Sequence, residues 1–241
     1  MIANRFRKAA DSYGQHAIAQ HKIATNLVSF LKNIHQKPAS SILEVGCGSG
    51  FLTTLLADLY NPAQYVANDL SINTALNKVP LPLQYVEGDA EKVLFGIDFD
   101  LIASSSTIQW FCDLPRFFKK TAQSLKNEGI FAFSSFLPGN LEEIFDLTRR
   151  GLKYNSETEL KNWLSEYFEI LHFSQEEIIL HFDHPTDVLR HLKETGVTGT
   201  GNFKWTRGTL QRFNEHYLEK YGDQNGVTLT YRPVYVIAKK K

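Results

Sequence analysis

Ile42-Leu-Glu-Val-Gly-Cys-Gly-Ser-Gly-Phe-Leu-Thr53 joins a short apolar run to a glycine-rich turn and then to the start of a helix. Ser41 to Val45 is bounded by turn signals and reads as a strand covered on both faces, whereas Phe51 to Leu59 resumes at helical spacing. Between them, Gly46, Gly48 and Gly50 leave the backbone free to take positive φ and let a ligand come close to it. The stretch therefore reads as a cofactor loop in an α/β protein.

Its spacing separates two cofactor classes. A dinucleotide loop needs G-x-G-x-x-G, so that a pyrophosphate can sit on the helix N-terminus. Here the glycines run G-x-G-x-G, one residue shorter, and an acid, Glu44, stands near the end of the strand. A carboxylate there repels phosphate and attracts a cationic amine. The combination suits the methionine end of S-adenosylmethionine (SAM), with its ammonium drawn to the acid and its carboxylate facing backbone N–H groups. An ordinary strand-to-helix turn is the plainer reading of one loop alone, and the strands that follow argue against it.

At 241 residues and 43% hydrophobic content the chain is long enough to bury a full core as one domain with an appendage. Lys and Arg total 26 and Asp and Glu total 26, so the net charge is zero, and Lys239 to Lys241 read as a solvated tail. Nothing in that balance points to a nucleic-acid or bilayer footprint. Cys47 and Cys112 lie in unrelated segments and make neither a metal motif nor a disulfide framework, which fits a reducing, cytoplasmic compartment. No apolar run approaches the length of a membrane span, and no signal-peptide pattern opens the chain.

Residues 1–36 read as a helical cap, with Ala17, Ala24, Val28 and Leu31 at helical intervals. After the loop, Gln64 to Asp69 is a second strand. It ends in an acid about twenty residues beyond the glycines, where nucleoside-binding α/β sheets read ribose hydroxyls. Asp69, with Leu70 beside it, is the candidate ribose contact; the plainer role is a helix N-cap near Ser71. Leu83 to Ala90 is a third strand ending in Gly88-Asp89-Ala90, where Asp89 can accept the adenine amino proton and Ala90 can flank the ring. Asp98 to Ser104 is a fourth strand. Its tip, from Ser104 to Trp110, lies where a reacting methyl should point, with Ser104 and Ser105 as candidate SAM contacts and Gln109 and Trp110 lining the acceptor side.

A helix is expected over Leu114 to Leu125, a turn at Gly129, a fifth strand over Ile130 to Phe136, and helices over Leu141 to Leu152 and Glu157 to Leu164. One long edge strand is expected over Tyr167 to Phe182 and a last strand over Val227 to Lys239. Residues 183–225, with a helix from Pro185, a glycine-rich joint from Gly196 and a helix from Thr206, read as a helical lid inserted between the last two strands. The organisation expected is a cap (1–36), a SAM-binding α/β core (37–182), the lid (183–225) and a closing strand with a basic tail (226–241).

The Glu44-x-Gly46-x-Gly48-x-Gly50 loop, Asp69, Gly88-Asp89-Ala90 and Ile108-Gln109-Trp110 resemble the class I SAM-dependent methyltransferases over roughly residues 40–136. More narrowly, Arg5-Phe6, Ala9-Ala10-x-Ser12-Tyr13, Ala17-x-x-Gln20, Gln109-Trp110, Gly139-Asn140-Leu141, Leu192-Lys193-x-x-Gly196, Thr206-Arg207 and Leu229-Thr230-Tyr231 resemble the malonyl-[acyl-carrier protein] O-methyltransferases of biotin synthesis. Ser105 stands where members of that family often carry Asn. The resemblance implies a Rossmann-like, seven-stranded, mostly parallel sheet with helices on both faces. It also implies methyl transfer from SAM to the free carboxylate of a malonyl thioester on acyl carrier protein or coenzyme A.

Such a carboxylate, with an ordinary pKa near ~4, is already ionised at neutral pH, so no general base is required. The protein must place the carboxylate oxygen, methyl carbon and sulfur in line, with reacting atoms roughly 3–3.5 Å apart, and exclude water. Arg190 on the lid helix is the candidate to orient the carboxylate; pairing with Asp187 or Glu194 is its plainer role. Tyr13 and Tyr231 are candidates to close the pocket or hydrogen-bond the acceptor. Gln109, Trp110, Lys193 and Arg207 are candidate substrate contacts, and His191 reads as a solvated helix residue. Lys193, Lys204, Arg207 and Arg212 suit an acidic carrier protein. A methyltransferase for another small molecule shares every SAM contact and differs in lid and pocket; a non-catalytic SAM-binding protein is the reading of another class.

Overall fold

The computed structural model describes residues 17–72, 76, 79, 81–197 and 205–241. Its main sheet has seven strands: β1 (Ser41–Val45), β2 (Gln64–Asp69), β3 (Leu83–Glu87), β4 (Phe99–Ser104), β5 (Leu125–Phe136), β6 (Phe168–Gln175) and β10 (Pro233–Lys240). Their order is β3-β2-β1-β4-β5-β10-β6. β1 to β5 pair in parallel, and β10 runs antiparallel to β5 and β6. The chain moves outward from β1 to β3 and then returns to β4 on the other side of β1. That reversal opens a crevice at the carboxyl ends of β1 and β4, the place where open α/β sheets take ligands.

Strand residues alternate between two cores. Ile42, Leu101, Ala132, Tyr235 and Ile237 join a cluster with Ala24, Leu27 and Leu31 of α1 (Ile18–Ile34) and Leu52 and Leu56 of α2 (Phe51–Tyr60). Leu43, Ile102, Phe131, Phe133, Val234 and Val236 face the other way, toward Phe117 and Phe118 of α3 (Leu114–Ser124) and Leu160 and Leu164 of α5 (Glu157–Ser165). Period-two apolar residues on both faces are what a sheet covered on two sides requires. On the first face Glu176 ties α1 down: its Oε2 accepts from Asn26 Nδ2 at 2.7 Å and from the Tyr235 hydroxyl at 2.9 Å.

Phe131 lies at the centre of an aromatic cluster, with the rings of Phe117, Phe118, Phe133 and Phe168 at 4.8–6.2 Å between centroids. Phe131→Ala is expected to destabilise the protein by about 3–5 kcal/mol in urea unfolding, from lost burial and the cavity left behind. Ligand affinity, measured where the variant is still folded, is expected to stay at the wild-type value.

The expected strand over Tyr167 to Phe182 is in fact two strands in two sheets. β6 ends at Gln175, and β7 (Ile178–Phe182) joins β9 (Gly226–Tyr231) and β8 (Gly222–Asp223) in a three-stranded sheet ordered β7-β9-β8. The expected last strand divides at the matching place, into β9 and β10. Pro233 has no N–H to continue the ladder. The Arg232 N–H donates to Asn140 Oδ1 at 2.9 Å, while the Arg232 carbonyl accepts from Leu137 N–H at 3.0 Å. Both breaks leave a mark in the sequence: the polar run Ser174-Gln-Glu-Glu177 interrupts the apolar alternation between β6 and β7, and Pro233 stands at the start of β10.

Between β7 and β8 lie α6 (Pro185–Glu194) and α7 (Arg207–Tyr221). The inserted segment therefore carries a small sheet as well as two helices. α4 (Glu142–Thr148) is shorter than the expected Leu141–Leu152 helix because Arg149 takes a left-handed conformation, φ 54°. β5 begins at Leu125, directly after α3, so Gly129 lies inside the strand rather than in a turn before it. Nor are the terminal lysines a free tail: Lys239 and Lys240 belong to β10, and Lys239 pairs with Glu169 at 3.1 Å. No described helix is long and apolar enough to cross a membrane.

Candidate active site

The glycine loop is strapped to β2, since Gly46 N–H and Cys47 N–H both donate to the Asn68 carbonyl, at 2.8 and 3.0 Å. Gly46 has φ +77°, and a side chain there would run into Thr107, lying 2.7 Å from its Cβ and overlapping its hydroxyl and methyl. Gly48 (φ +51°) faces open space. The loop thus packs the β4 tip with one glycine and presents bare backbone to a ligand with the next.

Glu44 is fully buried. Its Oε2 accepts from the Thr53 hydroxyl at 2.6 Å and the Tyr65 hydroxyl at 2.5 Å, while Oε1 has no hydrogen-bond partner among the described residues. Burial outweighs those two donors and raises the carboxyl to about 7. A buried acid with one unmatched oxygen fits an incoming ammonium. Thr53 and Tyr65, which hold Glu44, carry no local sequence signal; only their placement on α2 and β2 reveals them.

Asp69 binds the Gly48 N–H through Oδ2 at 2.9 Å and the Ser71 N–H through Oδ1 at 3.2 Å, so it joins the tips of β1 and β2 and also caps the turn after it. Desolvation raises its pKa. Leu70 beside it is exposed, an apolar surface at the site's edge. At the third tip, Asp89 pairs with Lys92 at 2.8 Å and accepts from Glu91 N–H, which hold its carboxyl below the usual range, and Ala90 is buried next to it. Asn68, in sequence another possible cap for the turn near Ser71, instead donates its buried side chain to the Val86 and Gly88 carbonyls at 2.7 and 3.0 Å, locking β2 to β3.

At the β4 tip, Ser104 is wholly buried and its hydroxyl donates to the Val45 carbonyl at 2.9 Å, so this side chain is occupied by the sheet. Ser105 shares a hydrogen bond with Ser134 of β5 at 3.0 Å. Gln109 donates to the Ser106 carbonyl at 2.6 Å, and its buried Oε1 has no partner among the described residues. Trp110 follows, half-buried, in the same 3₁₀ turn.

Beyond the β5 tip lies a cavity of about 970 Å³, walled by Asn140, Leu141 and Tyr154 on the core side and by Leu189, Arg190 and Lys193 of α6 on the other. Two sequence candidates, Arg190 and Lys193, meet there; Arg190 also pairs with Asp187 at 2.7 Å. Arg207 is exposed at the start of α7 and is not among the lining residues. Tyr231 is buried, its hydroxyl 2.8 Å from His191 Nε2, so it joins β9 to α6. His191 is accordingly buried rather than solvated, fixed between Tyr231 and Phe182. Tyr13 and Lys204 lie outside the described residues.

A seven-stranded sheet of this order, with a G-x-G-x-G loop after β1 and acids at the next two tips, defines a class I SAM-dependent methyltransferase, and SAM is its methyl donor. Residues 43–133 match the family described as a methyltransferase domain. Over 89% of this chain and 98% of the other, the fold matches the crystal structure of a candidate methyltransferase from Bacillus halodurans, with a TM-score of 0.67 at 15% identity. Curated relatives are closer in sequence. Malonyl-[acyl-carrier protein] O-methyltransferase of Porphyromonas gingivalis is 39% identical over 99% of this chain and 95% of its own length; that of Haemophilus influenzae is 40% identical over 99% and 93%. The chain belongs to the malonyl-[acyl-carrier protein] O-methyltransferase family.

Proposed function

We propose that the protein transfers the methyl group of SAM to the free carboxylate of a malonyl thioester carried by acyl carrier protein, capping its charge at the start of pimeloyl formation for biotin. The cavity carries this reading. It opens past the tip of β5, the strand next to β4, and its lining includes Arg150, Lys153, Arg190 and Lys193 against a single acid, Glu142. That lining favours an anionic acceptor with an apolar body.

SAM, when bound, supplies an electrophilic methyl on a sulfonium. Glu44 Oε1 is assigned to its ammonium, Asp69, which also holds the Gly48 N–H, to the ribose, and Leu70, Asp89 and Ala90 to the adenine, while Gly48 leaves open space for the ligand beside the loop. Ser105, Gln109 and Trp110 border the transferring methyl. The acceptor carboxylate is ionised at neutral pH, so the residues around it position rather than deprotonate. His191, committed to Tyr231, serves the packing of the insertion. Residues 183–225 act as a lid over the core, keeping water from the charged reactants. Two free thiols, buried Cys47 and exposed Cys112, accord with a reducing cytoplasm.

The test is transfer of labelled methyl from SAM to malonyl, succinyl and glutaryl thioesters of acyl carrier protein and coenzyme A. A base-labile methyl ester formed preferentially on malonyl thioester is the expected product. Preference for a longer diacid, or no ester on any of them with SAM bound, would overturn the assignment.

A further inference from the structure

The cavity wall contains a hydrogen-bond donor that sequence reading did not single out. Asn140 Oδ1 accepts the backbone N–H of Arg232 at 2.9 Å, which fixes the orientation of the amide. Its Nδ2 therefore donates to the Tyr154 hydroxyl, at 2.8 Å. With that oxygen accepting, the phenolic proton is left to donate elsewhere. Burial pushes Tyr154 up to about 12, so it remains a neutral donor at any working pH. Its ring is held edge-on against Phe136. Next to it in sequence, Lys153 is exposed, and Lys193 is exposed on the α6 side of the same cavity. Leu141, Ile144, Leu189, Leu192 and Leu210 supply apolar wall.

The arrangement combines an apolar body, one half-buried neutral donor and cations on two sides. We propose that this cavity receives the 4′-phosphopantetheine arm of the thioester substrate, with Tyr154 donating to a carbonyl of the arm and Lys153 and Lys193 holding its phosphate. The inference rests on the malonyl-thioester reading and adds the path by which the acyl group arrives. Acyl carrier protein and coenzyme A share this arm, so the site recognises what the two carriers have in common. Arg190, committed in part to Asp187, stands on the same wall.

Calorimetric titration of the S-adenosylhomocysteine complex with 4′-phosphopantetheine and with pantetheine tests the site without turnover. The wild type is expected to bind the phosphorylated arm at least about tenfold more tightly, as charge-assisted contacts imply. In Lys153→Glu/Lys193→Glu that preference is expected to fall below about twofold, while pantetheine binding and S-adenosylhomocysteine affinity stay unchanged. Tyr154→Phe is expected to weaken both arms equally, by about three- to tenfold. In turnover, the double lysine variant should raise KM for malonyl-acyl carrier protein and malonyl-coenzyme A alike by about tenfold, with kcat within about twofold.

Equal affinity of the wild type for both arms, with malonyl methylation intact, would overturn the inference. So would a KM change confined to the carrier protein, which would assign the lysines to that protein's acidic surface. Tight, phosphate-dependent arm binding without methyl transfer to malonyl would support the arm site and remove the malonyl assignment instead.

Discussion

Gly46→Ala is expected to destabilise the protein by about 2–5 kcal/mol and to abolish tight SAM binding. Two costs add. A non-glycine residue at φ +77° pays about 1–2 kcal/mol for the left-handed conformation, and forcing a methyl group into Thr107 adds about 1–3 kcal/mol of overpacking. In a chain of this length that lowers Tm by roughly 5–20 °C. The second cost falls on function, because Thr107 sits between Ser106 and the 3₁₀ turn carrying Gln109 and Trp110. Pushing it away separates the β1 loop from the β4 tip. Adding Thr107→Gly should recover the steric part and leave about 1–2 kcal/mol of backbone strain. Thermal unfolding with and without S-adenosylhomocysteine reads both effects. A single variant that melts within about 1 °C of wild type would show that the two loops do not meet as described.

The second large effect is a pH dependence centred on Glu44. Its pKa is raised from 4.5 to about 7 by burial. The protonated form is thus favoured in the free protein, and the stability this group contributes is fully present below about pH 4.5 and lost as pH rises through about 7. The span is on the order of 3 kcal/mol. With a ligand ammonium at Oε1 the carboxylate is the favoured form, so SAM binding below pH 7 must expel a proton. Affinity is expected to rise with pH between about 5 and 7, by up to tenfold per unit, and then level off.

Calorimetry at pH 6 in buffers of different ionisation enthalpy should register proton release. Glu44→Gln should remove it, and should weaken SAM binding at pH 8 by about 10–100-fold, the worth of a charge-assisted hydrogen bond. The variant retains the ligand's own titration, so the difference between the two profiles belongs to Glu44. Identical profiles would place the ammonium elsewhere.

The α/β core was legible because its signals are local. β1 has the bounds Ser41–Val45 expected from its apolar run, and the glycine spacing placed the turn and helix after it. Asp69 is placed beside the glycine loop by its distance along the chain, which the parallel pairing of β1 and β2 turns into proximity. The insertion was harder. Tyr167 to Phe182 and Val227 to Lys239 are each divided by a change of partner, marked in sequence only by the polar run Ser174 to Glu177 and by Pro233, while the identity of the new partner lies in distant segments. His191 reads as a solvated helix residue because the reaction needs no base; its burial comes from Tyr231, forty residues away. Ser104 reads as a ligand contact from its position at a strand tip, yet its hydroxyl is satisfied by Val45 across the sheet. Tyr154 gave no signal at all, since its donor role depends on an Asn140 amide oriented by a third segment.

Val234 pairs with Gln175, so β6 and β10 are the two arms of a hairpin, and residues 176–232 are its turn, grown into a small sheet with two helices. The consequence is evolutionary. Everything assigned to the methyl donor lies on strands before the hairpin or in the loops that follow them, while one wall of the cavity proposed for the acceptor belongs to its turn. Lengthening, shortening or rewriting that turn leaves the donor strands and their order unaltered. A protein built this way can exchange one methyl acceptor for another while inheriting its donor chemistry intact.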